Sequence, residues 1–461
     1  GTADNSGRID TGSTNNAVLG IAINRDDNEI KLYTNNTLRF TLSISATTLY
    51  YPFFGVGGSS NSSYFMYLNA GQDSSFGGNK TAGGNADGNG FGDFFYSPPT
   101  NHLALCSANL PISDDIDPAQ TDDDIPTKQF GIGLYTGQSG GGNSVVCGFQ
   151  PDLIWGKLRS GSQTGILIDS SRGQGLLFSA TTDDEQTSNG PFISSYNSDG
   201  FTFGSSGSNP NDNGGSYVAW CWRANGGTTA SNSEGDITST VQANTKAGFS
   251  IVTYTGNRTS SGVSTVGHGL SSAPDMVITK SRSNSGNWWV QHIGTSTASK
   301  MLNLQATSAE TDKSGNGTLS RPTATVFGTN HTDGLGTNGE THIAYCWHSV
   351  EGYSKFGFFE GNNDDDGAFI YTGFRPRLVF IKNIDATNRW IVHDSARRTF
   401  NPMNLPLDWN ETYGEYTSAS RQIDFLSNGF KCRTSDASIN GSNTYVYGAW
   451  GDVPFKYNNT F

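Results

Sequence analysis

Basic residues are scarce in this chain. Lys and Arg number 28 against 41 Asp and Glu, a formal net charge of −13. No basic stripe exists to neutralise phosphates, which argues against a nucleic-acid partner. The same lack disfavours adhesion to anionic membranes. No apolar run reaches the roughly 18 residues a membrane span needs, so membrane insertion is not expected. The 5 cysteines, Cys106, Cys147, Cys221, Cys346 and Cys432, are odd in number and far apart. That spacing disfavours both a zinc knuckle and a disulfide framework. They read as free buried thiols of a chain made in a reducing cytoplasm. The motifs G-x-S-x-G, H-E-x-x-H and C-x-x-C are all missing, so an enzyme is not expected.

Glycine and aromatics are abundant instead, with 59 Gly, 27 Phe, 18 Tyr and 9 Trp, while charged residues make up only 15 %. This is the composition of many short strands joined by tight turns. Large rings fill thin β-sandwich cores with few residues. The expected fold class is all-β, built of tandem jelly-roll-like β-sandwich modules with little helix.

One unit occurs three times. It opens with Tyr-Thr-Gly at Tyr135, Tyr254 and Tyr371. A proline, an apolar strand and a lysine follow: PDLIWGK to Lys157, PDMVITK to Lys280 and PRLVFIK to Lys382. Proline suits a strand's first position, where a ladder donor can be spared. A second strand ends at Asp169, His292 or Asp394. Each copy closes on alternating aromatics, YVAWCW to Trp222, HIAYCW to Trp347 and YVYGAW to Trp450. Alternation places Tyr217, Ala219 and Cys221 on one face and Val218, Trp220 and Trp222 on the other. A copy spans roughly 100 residues, the size of one β-sandwich, so each is expected to pack as its own two-layer module.

The domain reading is 1–111, an N-terminal module; 112–128, a linker; 129–226, repeat 1; 227–247, a linker in which 237–241 could form a lead-in strand; 248–350, repeat 2; and 351–461, repeat 3. In the N-terminal module, Val18 to Asn36 reads as a β-hairpin turning at Arg25 to Asn28. With YPFFGVGG (51–58), MYLNAGQDSSFGG (66–78) and the Pro98–Cys106 run, it resembles the SPRY-like, concanavalin-type jelly roll. That resemblance implies strands upstream of Val18, so the module is expected to begin in a longer chain. The stretches EGYSKFGFF, FIYTGFRPRLVFIK and DFLSNGFK, together with VTYTG, VGHGL and APDMVITK, resemble modules of structural proteins of marine tailed bacteriophages. The resemblance implies a virion protein, assembled in the host cytoplasm and then extracellular. It implies a fibre or fibre-like appendage on tail or capsid, other virion proteins as partners, a homotrimer, and a surface that attaches to host-envelope glycan.

Candidate sites follow from residue chemistry. Trp288, Trp289 and Trp390 lie on the repeated second strand, where such rings pack in a core or an oligomer interface, or else their faces could stack on sugar rings. Neighbouring Trp288 and Trp289 point opposite ways, so one could be exposed. Asn362, Asp364 and Asp366 head the acidic turns that could hold Ca²⁺, which needs about six to eight oxygens; the other such clusters are Asp122–Asp124 and Asp183–Glu185. No other cofactor is implied. His393, Asp394 and Ser395 are adjacent, and adjacent strand residues face opposite sides, so they form no catalytic relay. Two alternatives stand beside the fibre. One is a purely architectural capsid decoration or tail or baseplate component. The other is a polysaccharide depolymerase, which would need paired carboxylates about 5 to 9.5 Å apart in a groove.

Overall fold

The computed structural model describes residues 17–45, 67–106, 109, 126–173, 175–187, 190–205, 210–331 and 334–451. They divide into two compact units, one up to Pro111 and one from Ile112. The fold is nearly all β, and its only helices among the described residues are single 3₁₀ turns.

In the first unit, β1 (Leu19–Asn24), β2 (Glu29–Thr34) and β3 (Thr37–Ser43) form an antiparallel meander. The hairpin expected over 18–36 is its first half, with Asn28 in the left-handed region at the turn. Asn69 Oδ1 accepts the N–H groups of Gly71, Gln72 and Asp73, so 69–73 is a side-chain-capped loop. The strand expected over 51–58 lies outside the described residues. The described part of 66–78 is turns and loop without strand.

The second unit holds the three repeats. Repeat 1 supplies β4 (Phe130–Thr136), β5 (Ser144–Val146), β6 (Leu153–Leu158), β7 (Ile166–Asp169), β8 (Leu176–Phe178), β9 (Ile193–Asn197), β10 (Gly200–Phe203) and β11 (Ser216–Trp222). Repeat 2 follows with β12 (Ala230–Asn232), β13 (Ser239–Asn244), β14 (Phe249–Thr255), β15 (Val263–Gly267), β16 (Met276–Ser281), β17 (Trp289–His292), β18 (Lys300–Asn303), β19 (Thr311–Asp312), β20 (Val326–Asn330) and β21 (Thr341–Trp347). Repeat 3 has β22 (Ser354–Glu360), β23 (Phe369–Tyr371), β24 (Pro376–Asn383), β25 (Ile391–Asp394), β26 (Leu407–Asp408), β27 (Ile423–Leu426), β28 (Gly429–Cys432) and β29 (Thr444–Gly451).

Every repeat makes the same large sheet: β4-β11-β6-β7-β8, β14-β21-β16-β17-β18 and β22-β29-β24-β25-β26. A smaller outer sheet covers one face of each: β5-β10-β9, β15-β20 and β23-β28-β27. The aromatic strand that closes each repeat sits second in its large sheet, and its two faces divide as alternation predicts. Ala219 and Cys221 face the first repeat's own sandwich core, while Val218, Trp220 and Trp222 face the other way. Residues 227–247, expected as a linker, instead carry β12 and β13, which extend the second large sheet beyond β14. The backbone hydrogen bonds of an exposed β14 edge account for that pairing.

The inner faces do not end in three separate modules. They meet in one core that draws Trp155, Trp220 and Trp222 from repeat 1, Trp288 and Trp347 from repeat 2, and Phe380, Trp390, Trp409 and Trp450 from repeat 3. The closing tryptophans form a pinwheel. Trp222, Trp347 and Trp450 pack edge to face at 5.4, 5.9 and 6.2 Å between ring centroids. Their near-equal spacing marks a pseudo-threefold axis. Each is backed by the first aromatic of its repeat's opening large-sheet strand, Phe130 of β4, Phe249 of β14 or Phe356 of β22. No nitrogen or oxygen accepts the three indole N–H groups. The expectation of serial, independent sandwiches is therefore corrected. A thin sandwich bearing indoles on its second face must bury that face as well, and the other two repeats cover it.

Candidate functional site

The lysine closing each Pro-strand motif is buried and reaches across a seam. Lys157 Nζ donates to Glu411 O of repeat 3 (2.7 Å), Lys280 Nζ to Thr182 O of repeat 1 (3.3 Å), and Lys382 Nζ to Thr307 O of repeat 2 (3.2 Å). Repeat 1 thus grips 3, 2 grips 1, and 3 grips 2. Backbone bonds follow the same cycle. Gln163, Gly286 and Asn388 donate to Thr412 O, Thr182 O and Thr307 O at 2.7–2.8 Å. In return, Glu415, Glu185 and Glu310 donate to Arg159 O, Arg282 O and Ile384 O at 2.9 Å each. Burial lowers the Lys157 ammonium to about 8 and that of Lys382 to about 7.

The residues ending the second strand supply the next joint. Asp169 binds the Arg172 guanidinium and accepts Tyr345 Oη of repeat 2 at 2.7 Å. Asp394 binds Arg397 and accepts Trp220 Nε1 of repeat 1 at 3.0 Å. His292 holds the same place in repeat 2. Its Nδ1 accepts Gly294 N–H (3.1 Å), which leaves Nε2–H to donate to Tyr447 O of repeat 3 (3.2 Å). Thr295 stands where Arg172 and Arg397 stand in the other copies, and Arg321 reaches it from elsewhere in the repeat at 2.9 Å. The sequence signal is Asp-x-x-Arg, read in DSSR (169–172) and DSAR (394–397) and absent from HIGT (292–295). That spacing alone marks the joint in repeats 1 and 3.

The three tryptophans expected to meet sugars are buried, which corrects that reading. Trp288 and Trp390 are 0 % exposed and Trp289 is 3 %. Their strands lie inside the large sheets with both faces covered. Trp288 Nε1 donates to Phe178 O of repeat 1 (2.9 Å) and Trp390 Nε1 to Asn303 O of repeat 2 (3.0 Å). Repeat 1 has Gly165 at this position, and there the indole comes from the opposite side of the seam. Trp409 of repeat 3 stacks on Trp155 at 4.1 Å. Ser179 Oγ beside Gly165 donates to Trp409 O of repeat 3 at 2.7 Å. Trp289 packs with Met301, Leu319 and Leu335 beneath Lys313 Nζ, 4.0 Å from its ring centre.

The proposed Ca²⁺ ligands are otherwise engaged. Asn362 Oδ1 accepts Asp364 N–H and Asn440 Nδ2, and Asp364 Oδ1 accepts Asp366 N–H. Asp366 pairs with Lys431 at 2.6 Å. These are turn-capping acceptors, and among the described residues no three His, Cys, Asp or Glu side chains cluster as metal ligands. In the second acidic cluster, Glu185 binds Arg172 and Arg282; the cluster at 122–124 lies outside the described residues. An open cleft of about 450 Å³ beside the third outer sheet is lined by Asp365, Ala419, Ser420, Gln422, Arg433 and Thr434, which include a single carboxylate.

Two buried histidines make stability depend on pH. Burial holds His292 and His393 down at about 3, with Arg321 beside His292 and Arg397 beside His393 acting in the same direction. The unfolded chain takes up these protons near pH ~6.5. Their contribution is fully present above that pH and is lost as pH falls towards 3. The His393→Leu protein should lose this share, flattening unfolding free energy against pH by about 1.4 kcal/mol per unit between pH ~6 and ~4. Urea melts at stepped pH measure it, and an unchanged slope would refute it.

The second unit is thus a closed, three-repeat, all-β scaffold whose recurring residues build the seams between repeats. Residues 125–454 match the model of a family described as a domain of unknown function, DUF7483, and the chain belongs to that family. The match runs through all three repeats, as expected where the closed assembly, and not the single repeat, is the unit. No curated protein and no solved structure matches the chain.

Proposed function

We propose that this chain is a non-enzymatic structural protein of a bacteriophage particle, with the three-repeat unit as a rigid scaffold on tail or capsid. One observation carries the reading. The lysine, the strand-ending acid or histidine and the closing tryptophan that recur in the repeats are spent on holding repeats to each other. A catalytic or sugar-binding family would keep such residues at an open surface. The likeness of the repeats to structural proteins of tailed phages supplies the setting. Burial of Trp288, Trp289 and Trp390 moves the balance from a glycan adhesin towards the architectural form. The core closes within one chain, so a homotrimer is not needed to complete it. The cleft near Asp365 lacks the second carboxylate of a depolymerase.

Incubation with host-envelope polysaccharide, together with antibody labelling of intact particles, tests this. Unshortened, unretained polysaccharide and labelled particles are expected. Shortened chains would make the protein an enzyme, retained chains an adhesin, and unlabelled particles would remove the virion setting.

A further inference from the structure

The repeats diverge most at their outer sheets. The buried rings Phe201, Phe327 and Phe430 pair with Val145, Val266 and Ile370, which aligns the edge strands β5, β15 and β23. Thr265 of repeat 2 then corresponds to Phe369 of repeat 3, and Gly267 to Tyr371. In β23 the ladder to β28 runs through Ala368, Ile370 and Thr372, since Cys432 N–H donates to Ala368 O and Thr372 N–H to Asn428 O. The N–H and C=O groups of Phe369 and Tyr371 therefore point away from β28.

In repeat 2 the same outward groups are occupied. A strap of the chain lies along β15, with Ile237 bridged in parallel to Val266. Ile237 N–H donates to Thr265 O (3.0 Å), Asp236 Oδ2 accepts Thr265 N–H (3.0 Å), and Ser239 Oγ donates to Gly267 O (2.7 Å). The β23 edge has no such strap among the described residues. Its side chains instead form an apolar pair, Phe369 at 48 % and Tyr371 at 65 % exposure. Lys431 is the cross-strand neighbour of Phe369, and Arg433 follows it. The corresponding edge of repeat 1 shows only Ser144 and Val146.

We propose that β23 is a docking edge for an extended acidic segment of another protein chain, added parallel to it as Asp236–Ser239 adds to repeat 2. Backbone bonds to Phe369 and Tyr371 supply the pairing and the two rings supply cross-strand contacts; an acidic side chain can accept the outward Phe369 N–H as Asp236 Oδ2 accepts that of Thr265, while Lys431 and Arg433 beside it are already paired with Asp366 and Asp424. The source of that segment, a neighbouring virion protein, rests on the function proposed above; the edge itself does not.

A labelled peptide of sequence ASNSEGDITSTV, that of residues 230–241, titrated into the full chain tests it by fluorescence anisotropy. Saturable one-to-one binding is expected, weakened at least about tenfold by Tyr371→Pro and by replacing the peptide's acids with Lys, and unchanged by Val146→Pro. Melting temperatures of both proline variants check that the fold persists. Absent binding, or binding indifferent to Tyr371→Pro, would overturn the proposal. So would dextran binding that the double variant Phe369→Ala/Tyr371→Ala abolishes, which assigns the rings to sugar. Self-association that Tyr371→Pro dissolves would assign the edge to a second copy and overturn it too. None of these outcomes depends on where the chain sits in a particle.

Discussion

Trp450→Ala is expected to destabilise all three repeats together, by about 3–5 kcal/mol, and not the third repeat alone. The side chain is 1 % exposed. Its ring lies 6.0 Å from Phe130 and 5.4 Å from Trp222 of repeat 1, 6.2 Å from Trp347 of repeat 2, and 5.2 Å from Phe356 of its own repeat. Deleting it opens a cavity on the pseudo-threefold axis, where every wall belongs to a sheet anchored in another seam. Partial collapse into that cavity would misalign the Lys157, Lys280 and Lys382 contacts in concert. Hydrogen exchange gives the sharpest reading. Protection of Phe130–Thr136 and Phe249–Thr255 should fall with that of Ser354–Glu360, and urea melts followed by circular dichroism and by tryptophan fluorescence should coincide for this unit. Loss confined to the third repeat would mean three independent modules, and the shared core would be wrong.

Much of a single repeat was legible in the sequence. Period-two alternation in YVAWCW assigned both faces of that strand correctly, and the Pro-to-Lys spacing located β6, β16 and β24. What covers the second face was not legible. A strand with two apolar faces reports that both are buried, and one sandwich partner accounts for only one of them. The glycan reading of Trp288, Trp289 and Trp390 failed for that reason, and core packing held in its place. The true partners of Trp288 and Trp390, Phe178 O and Asn303 O, lie 110 and 87 residues away in a different repeat. The acidic turns pose a different ambiguity. Asp and Asn cap their own loops as readily as they bind cations, and spacing alone does not separate the two.

The ionic joint at the seam between repeats 1 and 2 yields the second large effect. The Arg172 side chain is 0 % exposed and binds Asp169, Glu185 (2.6 Å), Leu167 O (3.0 Å) and Tyr345 Oη (3.2 Å). Arg172→Leu removes the cation and leaves the Asp169 carboxylate, also 0 % exposed, with only Tyr345 and two backbone N–H donors. An uncompensated buried charge costs about 3–5 kcal/mol, the expected loss in urea denaturation at pH 7. Glu185 keeps Arg282 at 2.8 Å, so the deficit centres on Asp169. Arg172→Leu/Asp169→Leu should therefore recover most of the loss, because an apolar pair in a closed seam carries no desolvation debt. Repeat 2 already works without this pair, using His292 and Thr295 at the same positions. Breaking the pair Arg433–Asp424, whose arginine side chain is 44 % exposed, should cost under about 1 kcal/mol. An Arg172→Leu loss no larger than that of the Arg433 variant would mean the joint stands in water, and the seam assigned to it would not exist.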